Sequence, residues 1–142
     1  ICSWLMGVPR VFAGDLDGLT EQNIKHYNKR FTLLERLEKD YNIYNHFQYS
    51  GVPAPTDDDW HWWGKLNPQS EGVVVVLRGR AGADSRAINI PWVKAEKNYT
   101  IRFCLNQPSH SQVISGKDLQ DGKLQLELPK YGQEIIELKV AD

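Results

Sequence analysis

The chain has 142 residues, with seventeen Lys and Arg against eighteen Asp and Glu for a net charge of −1. That length suits one domain, and the near-neutral balance supplies no electrostatic reason to bind nucleic acid or an anionic membrane surface. No apolar run reaches the roughly 18 residues of a spanning helix, and 41% hydrophobic with 25% charged residues argues against wholesale disorder.

The opening residues, Ile1-Cys2-Ser3-Trp4-Leu5-Met6-Gly7-Val8-Pro9, carry neither an initiator Met nor a basic region. They do not read as a secretory signal, and the expectation is a piece of a larger protein. Residues 1–13 form an apolar segment, expected as a buried strand broken at Gly7 and Pro9. A turn-rich loop, Gly14-Asp15-Leu16-Asp17-Gly18-Leu19, follows. Thr20 is the expected N-cap of a helix, and Glu21 adds negative charge to its first turn.

From Glu21 to about Tyr44 the apolar residues Ile24, Tyr27, Phe31, Leu34, Leu37, Tyr41 and Tyr44 recur at spacings of three and four, which predicts one amphipathic helix. At 1.5 Å per residue it would span about 36 Å, long for so small a domain. Its stripe must lie against something large, or fold against the rest of the chain, or pair two copies as a homodimer.

Gly51-Val52-Pro53-Ala54-Pro55-Thr56-Asp57-Asp58-Asp59 cannot continue a helix and reads as a linker over 50–59. Beyond it, Trp60–Leu66, Gly72–Arg78, Ala87–Val93, Tyr99–Leu105, Gln112–Ser115, Leu124–Leu128 and Glu134–Val140 are short runs rich in β-branched and aromatic residues, separated by turn clusters. Leu124, Leu126 and Leu128 alternate with Gln125 and Glu127, the mark of a half-buried strand. About seven such strands with no intervening helix predict a mainly β fold, an antiparallel β-sandwich over 60–142.

Candidate chemistry is sparse. Asp15 and Asp17 sit in a loop ahead of a helix, where acids favour the positive N-terminal end. Leu19 stands where a phosphatase nucleophile loop needs Thr. The histidines His26, His46, His61 and His110 are scattered, and with no Cys-x-x-Cys or His-x-x-x-His spacing no metal site is predicted. No cofactor motif occurs. Cys2 and Cys104 read as buried thiols whose redox state the sequence leaves open. In Trp60-His61-Trp62-Trp63, a strand would place Trp60 and Trp62 on one face and His61 and Trp63 on the other. Those indoles, with Trp92, either fill cores or stack on sugar rings.

The order of parts resembles the C-terminal end of retaining α-galactosidase-like glycoside hydrolases, in which a (β/α)₈ barrel is followed by an antiparallel β-sandwich. Gly7-Val8-Pro9-Arg10-Val11-Phe12-Ala13-Gly14-Asp15-Leu16 is similar to the last barrel strand, and residues 20–44 to the last barrel helix. Trp60–Asn67 and Glu71-Gly72-Val73-Val74-Val75-Val76-Leu77-Arg78-Gly79 resemble the opening strands of the appended domain, and Gly116-Lys117-Asp118-Leu119 through Leu128-Pro129 its closing hairpin. The resemblance implies that 1–49 is a barrel remnant and 60–142 the sandwich, and that the reacting carboxylate pair lies on absent barrel strands. No catalytic residue is then expected in this chain. Asp15 and Asp17 would border the sugar pocket of the intact enzyme. The implied function is a non-catalytic region that stabilises the barrel, its partner. Alternatives are a carbohydrate-binding module that takes an oligosaccharide on Trp60, Trp62, Trp63 or Trp92, and a protein-interaction sandwich. An extracellular or periplasmic setting would suit a glycan-degrading parent.

Overall fold

The computed structural model describes residues 17–49 and 59–142. The apolar segment before residue 17, with Cys2 and Asp15, and most of the expected linker, with Asp57 and Asp58, lie outside them. Helix α1 runs Glu21–Tyr41, followed by a 3₁₀ turn at Ile43–Asn45. Eight strands follow: β1 Gln48–Tyr49, β2 Trp60–Leu66, β3 Gly72–Arg78, β4 Ser85–Ile88, β5 Asn98–Phe103, β6 Ser111–Ser115, β7 Leu124–Glu127 and β8 Gln133–Val140. A short helix α2, Gly116–Gln120, sits between β6 and β7.

The fold is mainly β, built from antiparallel pairs as expected. Six strands form one sheet in the order β1-β2-β3-β8-β5-β6, and β4 with β7 forms a second of two strands. Because side chains alternate along each strand, the large sheet buries both faces. On one, Trp60, Leu66, Val74, Val76, Tyr99, Ile101, Ile136 and Leu138 meet Ile88, Leu124, Leu126 and Leu128 of the small sheet, joined by Ile90, Val93 and Leu119. On the other, Trp63, Val73, Val75 and Ile135 meet Leu34, Leu37, Tyr41 and Ile43. Burial on both faces is why β3 reads Val73-Val74-Val75-Val76 without alternation.

Helix α1 begins at the expected cap, where Thr20 Oγ1 accepts from the Asn23 amide at 3.2 Å. It ends three residues short of the expectation, at Asn42, which adopts the left-handed conformation (φ 56°), a geometry Asn tolerates well. Helix α1 is a layer of the sandwich, and Gln48–Tyr49 pairs with Gly64 and Trp63 of β2.

Two other elements differ from expectation. The run Ala87–Val93 is extended only to Ile88, because Pro91 lacks an amide and ends the ladder; the amide of Ile90 turns instead to the carbonyl of Leu119. Helix α2 carries a cap the sequence reading passed over, Ser115 Oγ accepting from the Asp118 amide at 3.0 Å, the Ser-x-x-acid pattern.

Candidate functional site

The candidate site residues of the sequence fall in several places. Asp17 is exposed in a turn ahead of α1. Trp60 is 4% exposed and donates from Nε1 to the Ala83 carbonyl at 2.9 Å. Trp63, 5% exposed, faces the helix layer. Trp62 and Trp92 are half-buried against the inter-sheet core. Trp62 donates to the Asn89 carbonyl at 2.8 Å and carries the Arg86 guanidinium 5.5 Å from its ring centroid. The ring of Trp92 lies over Gly64, where any Cβ would crowd it. Among the described residues the large apolar side chains standing exposed are Ile24, Val113 and Tyr131, none of them tryptophan. Trp60 and Trp63 thus fill cores, one of the two alternatives for these indoles, each on a different face of the large sheet.

The charged clusters that the structure assembles were not expected. Glu137 of β8 points toward α1, where its carboxylate accepts two bonds from the Arg36 guanidinium, at 2.8 and 2.9 Å, and one from the Tyr41 hydroxyl at 2.7 Å. Burial would push this carboxyl up, but the bonds from Arg36 and Tyr41 prevail and hold it below its ordinary value. Burial and the same carboxylate push the Tyr41 hydroxyl up. The Cys104 thiol, 3.9 Å from Glu137, is pushed up to about 12 by burial and by Glu137. It is held as the neutral thiol, the opposite of an activated nucleophile.

Arg78, at the end of β3, has its side chain 1% exposed and bonds Asp84 at 2.6 Å, the Leu128 carbonyl at 2.5 Å and the Gly82 carbonyl at 2.9 Å. It ties the β3–β4 loop to the small sheet. Glu134, 2% exposed, accepts from the backbone amides of Leu105, Asn106 and Ile135 and from Asn106 Nδ2. Both residues hold loops in place.

Clefts open among the described residues. One of about 220 Å³ lies beside Tyr41 and Glu137 on the half of the large sheet that α1 leaves uncovered, with Thr100, Arg102 and Lys139 on its walls. A larger one, about 300 Å³, lies between the β5–β6 end of the large sheet and β7. Leu126 and Leu128 line it together with Gln112 of β6 and with Asn106 and Gln107 of the β5–β6 loop. Strand alternation turns Gln125 and Glu127 to the opposite face of β7 from these leucines. No group of three or more His, Cys, Asp or Glu among the described residues is placed to hold a metal ion. No described helix is long and apolar enough to cross a membrane.

No protein family, curated protein or solved structure matches this chain.

Proposed function

We propose that the chain is the non-catalytic C-terminal region of an α-galactosidase-like glycoside hydrolase, its sandwich packing on a catalytic barrel and stabilising it. The reading rests on the order of sequence elements and on one structural observation: the apolar stripe of α1 is only half used. Leu34, Leu37 and Tyr41 are buried on the sheet, while Ile24 on the same stripe is 45% exposed and all of residues 21–26 are open. A helix that carries its apolar stripe past the layer covering it is suited to a second neighbour.

Two measurements test the reading. The isolated chain is expected to release no chromophore from aryl α-galactosides, and turnover would overturn a supporting role. In the longer polypeptide, Ile24→Asp is expected to lower the midpoint of barrel unfolding while leaving the isolated chain unchanged. An upstream coding sequence without a barrel-length segment would remove the proposal altogether.

A further inference from the structure

We propose that the 300 Å³ cleft between the large sheet and β7 binds a neutral polyhydroxylated ligand, a saccharide unit, through side-chain amides. The inference does not depend on the glycoside-hydrolase reading. It starts from the composition of the walls. Gln112 of β6 and Asn106 and Gln107 of the β5–β6 loop line the cleft opposite Leu126 of β7 and Leu128. A carboxamide offers two donors and an acceptor on one planar group. A ligand dense in hydroxyls, each both donor and acceptor, satisfies such a rim. An apolar ligand would strand it at the cost of unpaired amides.

Charge narrows the class further. Among the described residues no Lys or Arg lines the cleft, while Glu127 and Glu134 do. A phosphate, sulfate or carboxylate would meet negative charge without a compensating cation. The floor supplies the other half of sugar recognition. Leu126 and Leu128 are buried, and half-buried Phe103 stacks on His110 with ring centroids 5.9 Å apart and planes 21° from parallel. These surfaces suit the C–H face of a ring. The volume stands at the small end of ligand pockets, which fits one or two rings better than an extended peptide.

The cleft is also preformed. Glu134 grips the loop by the Leu105 amide at 2.8 Å, the Asn106 amide at 3.2 Å and Asn106 Nδ2 at 2.8 Å, and Asn106 Nδ2 also reaches the Gln133 carbonyl at 3.0 Å. A loop already pinned loses little further freedom when a ligand arrives.

The test is an amide-resolved NMR titration of the ¹⁵N-labelled chain with methyl α-galactoside, methyl α-glucoside and cellobiose, each to about 50 mM, a range that captures millimolar affinity. At least one sugar is expected to shift resonances within 103–112 and 124–128, including the side-chain amides of Gln107 and Gln112. Gln107→Ala with Gln112→Ala, both exposed and so tolerated by the fold, is expected to weaken that binding about tenfold or more, the loss of one or two hydrogen bonds. Absence of shifts with all three sugars would overturn the inference. So would shifts centred on Trp62 and Trp92, or equal shifts of the cleft by inorganic phosphate. None of these outcomes bears on hydrolysis or barrel stability, so the two proposals fail separately.

Discussion

Glu137 shows how one side chain joins two layers of the molecule. Glu137 lies 101 residues from Arg36 and 96 from Tyr41 in sequence, so their meeting is a product of the fold. Removing the carboxylate leaves the buried Tyr41 hydroxyl without its acceptor and leaves the half-buried Arg36 guanidinium only Asp40 at 3.3 Å. Because Arg36 is partly open to water, its loss is less than that of a fully buried pair, and Glu137→Ala should destabilise by about 2–3 kcal/mol, measured by denaturant unfolding. The pH dependence has a definite sign. Glu137 is held below its ordinary value of 4.5, so its contribution is complete above that value and disappears as pH falls through the lower, folded-state value. Tyr41 is held above its ordinary 10.0, so its contribution is complete below pH 10.0 and is lost as pH rises through the folded value. The stability gap between the native chain and Glu137→Gln should therefore be flat between these limits and shrink toward acid. A gap that widened toward acid would contradict the assignment. Sequence singled out Tyr41 only as a member of the apolar stripe and Arg36 and Glu137 not at all, because β8 shows Glu137 only as a polar residue in an apolar run.

At the level of elements, β3 depends on how it starts. Gly72 pairs with Leu66 across the β2–β3 turn at φ +147°, and a Cβ there would collide with the Lys65 carbonyl oxygen. Gly72→Ala forces either the backbone or the first pair of the central hairpin to move, and should cost about 2–4 kcal/mol by thermal unfolding. A neutral effect would mean that this turn relaxes freely. The hairpin itself was legible: apolar runs flanking Asn67-Pro68-Gln69-Ser70 gave both strands to the residue. The short elements were not. Strand β1 has two residues and forms only because β2 offers an edge, with the Gln48 side chain bridging the Leu66 amide and carbonyl at 3.1 and 3.2 Å. In helix α2 a glycine start and only five residues give helical periodicity nothing to act on.

Across the whole molecule, α1 covers one half of a face of the large sheet and leaves the half around Arg102, Val113 and Lys139 open. The stripe residues should therefore differ sharply in what they contribute. Leu34→Ala, at 0% exposure, should cost about 3–4 kcal/mol and lower the unfolding of helix and sheet together. Ile24→Ala in the isolated chain should stay within about 0.5 kcal/mol. Equal effects would mean that α1 meets the sheet along its full length.

The local content of this protein is set by its sequence alone. Strand alternation, the three-and-four spacing of α1, the Thr20 cap and the prolines that stop ladders all act within a few residues, where backbone sterics and side-chain direction decide. Tertiary structure alone decided which layer covers which face. It sent Trp60 and Trp63, three residues apart, into separate cores. It brought Glu137 to Arg36 and set Gln112 opposite Leu126 and Leu128 across a cleft. A periodicity states that a side chain must leave water, and only the meeting of distant strands determines what receives it.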